Sequence, residues 1–129
     1  QFLGANGPTM MQINKGDIYW VALETADGAE PGIPHPHVVI QEDILNHSRV
    51  DSVVVCALST NLKRVSAPGN VLLEAGEANL PRQSVVIVSQ VSAVKKACLG
   101  DYIGTLSKLR VEQILAGMRF LQRISADRN

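Results

Sequence analysis

The hydrophobic period of this chain changes once, at Ser107, and that change restricts the folds open to it. Before Ser107, apolar residues come in short runs rich in valine and isoleucine, separated by turn residues, a pattern typical of β-strands. After it, apolar residues recur every two to four positions, at Leu109, Val111, Ile114, Leu115, Met118, Leu121 and Ile124. This spacing predicts one amphipathic helix, with Ser107 as its N-cap.

Six short strands are predicted in front of this helix. Their expected bounds are Ile18–Leu23, His37–Gln41, Ser52–Leu58, Asn70–Leu73, Gln83–Val91 and Tyr102–Leu106. The third run is continuously apolar, so we expect it to be buried on both faces or at a dimer interface. Pro31, Pro34 and Pro36 predict a loop over residues 24–36, because proline cannot donate to a sheet ladder. A small, strongly bent β-barrel with a helix packed on it fits this order of elements.

Composition limits the chain to a single globular domain. Its length of 129 residues is typical of one domain. The balance of 12 Lys+Arg against 12 Asp+Glu excludes a general nucleic-acid binder with a basic excess, although a locally basic groove stays open. We expect the domain to span residues 11–125, after a non-native leader at 1–10 and before a short tail at 126–129.

The two cysteines and the N-terminal residues favour a location in the cytoplasm. Cys56 and Cys98 lie among apolar neighbours, which predicts buried free thiols in a reducing environment. No run approaches the roughly 18 apolar residues of a membrane span, and the first residues lack the pattern of a signal peptide. We therefore expect a cytoplasmic protein that does not contact a membrane.

Three short polar segments carry the candidate chemistry. His35 and His37, two residues apart among prolines, favour acid–base work near neutral pH, or else are surface histidines without a role. Ser59–Asn61 offers two hydroxyls and an amide for binding, or else caps the end of a strand. Lys63 and Arg64 suit phosphates, or else lie in a solvated loop. Because no His, Cys, Asp and Glu cluster has metal-ligand spacing, we expect neither a metal nor a cofactor.

Several segments match, in order, the motifs of a known family. They are Gly16–Val21, Gly28–Gly32, Pro36–Gln41, Ala57–Asn61, Asn79–Val85, Gln90 and Leu99–Ser107. Through them, from about Lys15 to Ile124, the chain resembles the MazF/PemK (Kid) family of toxin endoribonucleases. This ordered set favours the ribonuclease branch over the related gyrase-poison toxins of the CcdB type.

The resemblance implies a mainly β fold with one C-terminal helix, the small SH3-like β-barrel of the CcdB, PemK and MazF toxins. Members of the family are homodimeric growth inhibitors that cut single-stranded RNA at short sequences without a metal. The ribose 2′-OH is the nucleophile, and a 2′,3′-cyclic phosphate is left. An antitoxin partner blocks the substrate groove, and its complex with the toxin binds operator DNA.

Carried over position by position, the resemblance gives catalytic roles to His35, Ser59 and Thr60. It gives substrate binding to Glu30, Pro36, His37, Asn61, Lys63, Arg64, Ser89 and Gln90. The family's catalytic arginine falls on His35, and an imidazole lacks the fixed charge and the bidentate fork of a guanidinium. Two alternatives follow: a ribonuclease with reduced activity, or a catalytically degenerate member that docks an antitoxin or another protein.

Overall fold

A computed structural model describes residues 12–23 and 32–127 of the chain, with side chains described up to residue 123. The expected leader at 1–10 and most of the proline-containing loop lie outside these residues, and so does Glu30. Within them, the base of that loop is joined by a hydrogen bond from the Gly32 amide to the Leu23 carbonyl, at 2.7 Å.

Six antiparallel strands form one curled sheet in the order β4-β5-β3-β2-β1-β6, a half-barrel in which β4 and β6 are the edges. The strands are β1 (Asp17–Val21), β2 (His35–Val39), β3 (Ser52–Ser59), β4 (Val71–Leu73), β5 (Ser84–Lys95) and β6 (Tyr102–Thr105). One short helix, α1 (Asp43–Asn46), follows β2, and the long helix α2 (Lys108–Asp127) ends the described chain. The mainly β fold with one C-terminal helix is therefore confirmed.

The central strand β3 is buried on both faces, as its apolar run predicts. Val53 and Val55 belong to one core cluster, together with side chains of β1 and β2. Cys56 and Leu58 belong to the other cluster, which includes Ile114 of α2. Because both faces of β3 are covered within one protomer, its apolar character no longer argues for a dimer interface.

A 3₁₀ turn, Glu77–Asn79, follows β4 in the chain and packs against β6 at the opposite edge of the sheet. A Cβ built on Gly104 of β6 would lie 2.1 Å from the Ala78 carbonyl oxygen, so the close approach requires glycine. The side-chain Nδ2 of Asn79 donates to the Ile103 carbonyl at 3.1 Å. Glu77 also pairs with Arg110 of α2 through two hydrogen bonds of 2.9 and 2.8 Å.

Helix α2 is fixed to the sheet at its start and at its middle. The Ser107 hydroxyl accepts a hydrogen bond from the Arg110 amide at 3.2 Å, which confirms the predicted N-cap. One turn later Ile114 is 1% exposed in the core. At Gly117 the helix backbone meets Gly69, with no room for a side chain between them.

A buried carboxylate ties β1 to β6. Asp17 is 4% exposed and accepts hydrogen bonds from the Asn14 amide at 2.9 Å, the Tyr19 hydroxyl at 3.3 Å and the Thr105 hydroxyl at 2.7 Å. The Tyr102 hydroxyl, 2.6 Å from the Thr105 oxygen, completes the chain of donors. This network gives the Gly16-Asp17 motif a structural role at the sheet edge.

Four expectations from the sequence are wrong in detail. His35 and Pro36 lie in β2 rather than in a loop, and the ladder with β3 begins only at His37, so Pro36 removes no donor from it. Strand β5 runs on to Lys95. Leu109 is 64% exposed instead of facing the core, and Cys98 is exposed while Cys56 is buried. The side chain of Ile124 lies outside the described residues.

Candidate functional site

A cleft of about 460 Å³ opens at the end of β1, the start of β2 and the end of β3. Its walls carry two imidazoles, two hydroxyls, one guanidinium and one carboxamide on an apolar floor. The lining residues are Val21, Leu23, Gly32, Ile33, His35, His37, Ala57, Leu58, Ser59, Thr60, Arg64 and Gln90. The cleft therefore combines acid–base groups, a permanent cation and neutral hydrogen-bonding groups.

Strand β2 places both histidines on one face of the sheet. His37 pairs with Tyr19 of β1 and with Ala57 of β3, and His35 pairs with Val21. Because side chains alternate along a strand, residues two apart point to the same side. The same β2–β3 register, continued by two residues, sets His35 opposite Ser59, and both line the cleft.

His37 is held by its own strand. Its Nδ1 lies 2.8 Å from the carbonyl oxygen of His35, and the residue is 3% exposed. Burial lowers the pKa of His37 below its ordinary 6.5, the His35 carbonyl partly opposes this, and the charge of His35 adds to the lowering. The imidazole is therefore neutral at pH 7.

The segment after β3 turns Arg64 toward the cleft. The Ser59 hydroxyl accepts from the Asn61 amide at 3.1 Å, and the Asn61 side chain accepts from the Lys63 amide at 3.2 Å. These two bonds begin the 3₁₀ turn Leu62–Ser66, on which Arg64 lies. The strand-end capping that the sequence left open is thus present, and it precedes the turn that carries Arg64.

Gln90 reaches the cleft through an irregularity in the sheet. Cys56 pairs with Val91 and Leu58 pairs with Val86. Between these two pairs β5 therefore advances by five residues while β3 advances by two. The extra residues of β5 bulge out of the ladder. Gln90 lies in this bulge and lines the cleft, whereas Ser89 beside it does not.

The described lining residues of the cleft include a guanidinium and no carboxylate, although the chain as a whole is neutral. No Asp or Glu is among its lining residues within 12–23 and 32–127, and Arg64 makes no ion pair there. A guanidinium and two imidazoles without a carboxylate suit a phosphate group. Among the described residues, this lining agrees with the locally basic groove that the charge balance left open.

The structure brings together six of the predicted site residues: His35, His37, Ser59, Thr60, Arg64 and Gln90. Pro36, Asn61, Lys63 and Ser89 do not line the cleft, and Glu30 lies outside the described residues. Sequence reasoning missed the apolar floor, to which Val21, Leu23, Ile33 and Ala57 contribute. No sequence signal separates these residues from ordinary core positions, because their role depends on where the sheet curls.

Two further findings concern the described part of the chain. It contains no group of three or more His, Cys, Asp or Glu side chains arranged to hold a metal ion. None of its helices has the length and apolar character needed to cross a membrane.

Comparisons with known proteins point to one family. Residues 14–121 match the family model described as PemK-like, MazF-like toxin of type II toxin–antitoxin system. The chain is 34% identical to the endoribonuclease MazF6 of Mycobacterium tuberculosis over 109 residues, covering 84% of this chain and 96% of that protein. It is 28% identical to the endoribonuclease EndoA of Bacillus subtilis over 104 residues, covering 81% of this chain and 89% of the relative.

A solved structure has the same fold. The mycobacterial endoribonuclease in complex with its cognate antitoxin superposes with a TM-score of 0.65 at 21% identity, covering 81% of this chain and 89% of the other. At this level of identity the likeness shows the fold alone.

Proposed function

This chain belongs to the PemK-like, MazF-like toxin family of type II toxin–antitoxin systems, and from that premise we propose that it is a metal-independent endoribonuclease acting on single-stranded RNA. The relatives named above are endoribonucleases. The observation that carries the proposal is the cleft itself, where two imidazoles and a guanidinium meet two hydroxyls and a carboxamide without a carboxylate in the described residues.

The proposed reaction is attack by a ribose 2′-OH on the adjacent phosphorus. The P–O5′ bond breaks, and a 2′,3′-cyclic phosphate and a free 5′-OH are left. This reaction needs a base for the 2′-OH, an acid for the leaving oxygen and a cation for the phosphate charge. The cleft offers imidazoles for the first two tasks and Arg64 for the third.

Arg64 supplies the fixed charge that His35 lacks. In the family pattern an arginine occupies the position of His35, and here the guanidinium comes instead from the turn after β3. A guanidinium binds two phosphate oxygens at once. We therefore propose Arg64 on the scissile phosphate, with Ser59, Thr60 and Gln90 beside the substrate in the cleft. Asn61 and Lys63 do not line the cleft and are proposed as substrate contacts on the resemblance alone.

Single-stranded RNA fits this cleft better than a duplex. The floor is apolar, with Ile33 78% exposed and Leu23 38% exposed at its rim. Unstacked bases can lie on apolar side chains while the carboxamide of Gln90 reads a base edge. Glu30, Pro36 and Ser89 remain proposed substrate contacts, on the resemblance alone.

The test is cleavage of a long unstructured RNA in the presence of EDTA, with the ends of every product mapped. We expect discrete cuts that carry 2′,3′-cyclic phosphate, and their loss in His35→Ala. His47→Ala is the matched control, because His47 is exposed and hydrogen-bonds Asn14 outside the cleft. If a folded wild type makes no cuts from pH 5.5 to 8.5, the catalytically degenerate alternative replaces this proposal.

We also propose a cytoplasmic toxin whose activity a cognate antitoxin controls by covering the cleft. A related mycobacterial endoribonuclease was solved with its antitoxin. The open, partly apolar cleft gives an antitoxin peptide a place to bind. Operator DNA would bind only the toxin–antitoxin complex. Adding a cognate antitoxin should stop RNA cleavage, whereas an unchanged rate would reject this part of the proposal.

A homodimer is the proposed oligomeric state. Since β3 is covered within the protomer, the apolar side chains available to a dimer interface are those exposed on the Leu62–Ser66 turn and on α2. These are Leu62, Val65 and Phe120, which are 42%, 43% and 39% exposed. Light scattering at micromolar concentration should give twice the mass of 13.9 kDa, and a monomer would contradict the proposal.

A further inference from the structure

The ring of His37 has a fixed tautomer. Its Nδ1 lies 2.8 Å from the His35 carbonyl oxygen, and a carbonyl oxygen only accepts. Nδ1 must therefore carry a hydrogen. In the neutral imidazole this leaves Nε2 without a hydrogen and with its lone pair available.

Nε2 is a buried acceptor without a partner among the described residues. His37 is 3% exposed, and its one side-chain hydrogen bond there is the bond from Nδ1. Buried polar atoms in native proteins almost always have partners, so a lone pair without one among the described residues, on a side chain that lines the cleft, offers a bound ligand a place to donate a hydrogen bond. A hydrogen-bond donor is the partner that this acceptor requires, and a ribose hydroxyl is one.

His35 has the opposite environment. It is exposed at the mouth of the same cleft, on the same face of β2, and its side chain makes no hydrogen bond among the described residues. Its charged form keeps contact with water, whereas a charge on His37 would be buried. Two titratable groups in contrasting environments are the usual arrangement of an acid and a base in one site.

We propose that Nε2 of His37 is the general base that takes the proton of the ribose 2′-hydroxyl, and that protonated His35 is the general acid. This inference rests on the proposed ribonuclease function. The 2′-oxygen forms its bond to phosphorus as its proton moves to His37. The P–O5′ bond breaks as His35 gives a proton to the 5′-oxygen. Afterwards His37 loses one proton to water and His35 regains one, so the balance closes.

The groups around His37 keep it in the form of a base. On its own strand the nearest titratable group is His35, and on β1 its neighbour is Tyr19, whose pKa is raised by burial and by Asp17. On β3 it faces Ala57, and across the cleft lie Arg64 and Gln90. No carboxylate of the described residues lines this cleft to stabilise an imidazolium at position 37.

The first variant is His37→Asn. The asparagine amide can donate to the His35 carbonyl as Nδ1 does, but the position of Nε2 is left without a base. We expect wild-type thermal stability at pH 7.5 and a rate constant reduced by about 10²–10⁴-fold. The acidic limb of the pH–rate profile should disappear, and added imidazole should restore part of the rate in His37→Ala.

A second substrate separates the base from the acid. An RNA with sulfur in place of the bridging 5′-oxygen at the mapped cut has a leaving group that needs no proton. On this RNA the defect of His35→Ala should shrink by at least about tenfold, while that of His37→Asn stays unchanged. The reverse pattern would overturn the assignment of roles.

The outcomes distinguish this inference from the function beneath it. If wild type cuts RNA and a 2′-deoxy nucleotide at the cut blocks it, the proposed function holds. A folded His37→Asn variant that then cuts at the wild-type rate, with its acidic limb intact, would overturn the role of His37 alone. A wild type that makes no cuts rejects both.

Discussion

The substitution Gly117→Ala separates helix propensity from tertiary packing. Gly117 lies inside α2, where alanine is more favourable than glycine by about 1 kcal/mol. Propensity alone therefore predicts that the alanine variant is more stable. In the structure, a Cβ at this position would lie 2.1 Å from the carbonyl oxygen of Gly69.

The size of the effect follows from that distance. Carbon–oxygen contacts in proteins are roughly 3.3–3.6 Å, so the helix would have to retreat by about 1 Å. Gly69 cannot easily yield, because it has a φ of +88° and packs against Val88. Such a retreat loosens Ile114 in the core, and overpacking of this kind costs roughly 1–3 kcal/mol. A packing loss of about 1–3 kcal/mol offsets or exceeds a propensity gain of about 1 kcal/mol, so we expect the free energy of unfolding of Gly117→Ala to fall below that of wild type by up to about 2 kcal/mol.

Urea unfolding at a fixed protein concentration, followed by circular dichroism, measures this difference. Ala116→Gly is the matched control, since position 116 is exposed on the same helix and should lose about 1 kcal/mol through propensity alone. A Gly117→Ala variant more stable than wild type, with the control behaving as expected, would refute the packing argument.

Three further predictions follow from burial and hydrogen bonding. A thiol reagent should modify the exposed Cys98 in the native protein and reach Cys56 only on unfolding, because burial raises the pKa of Cys56 to about 12; native labelling of both would contradict this. Burial lowers the pKa of His37 below 6.5, so the unfolded chain binds more protons beneath that pH and stability falls on acidification. Urea midpoints from pH 7.5 to 5.5 should therefore drop more for wild type than for His37→Asn, and equal drops would contradict the shift. Asp17→Asn turns one accepting oxygen into a donor facing the Thr105 hydroxyl or the Asn14 amide, and should cost about 2–3 kcal/mol by urea unfolding; a loss below about 0.5 kcal/mol would reject that role.

Most of the candidate site could be predicted as residue types but not as an arrangement. The pair His35 and His37 is visible in the sequence, yet three prolines nearby predicted a loop, and the strand was missed at its first residues. Pro36 is tolerated because the ladder with β3 begins one residue later. Where this ladder begins depends on the register of β3, which the sequence around Pro36 does not determine.

The different environments of His35 and His37, from which their proposed roles as acid and base follow, are set by tertiary structure. Burial at position 37, exposure at position 35 and the carbonyl that fixes the Nδ1 hydrogen all depend on β1 and β3 on either side of β2. The arrival of Gln90 depends on the bulge in β5. The place of Arg64 at the cleft depends on the 3₁₀ turn Leu62–Ser66, which follows two capping bonds after Ser59.

By itself the sequence determined the elements of this protein, because hydrophobic period and turn residues act over short distances. It predicted six strands, the single C-terminal helix and the N-cap at Ser107, and its ordered motifs identified the family. Tertiary structure alone decided which apolar residues form the core and which line the cleft. It also decided the two close backbone contacts that require glycine, at Gly104 against Ala78 and at Gly117 against Gly69. These features arise where distant segments meet, and the distance between two backbones is not encoded in either segment alone.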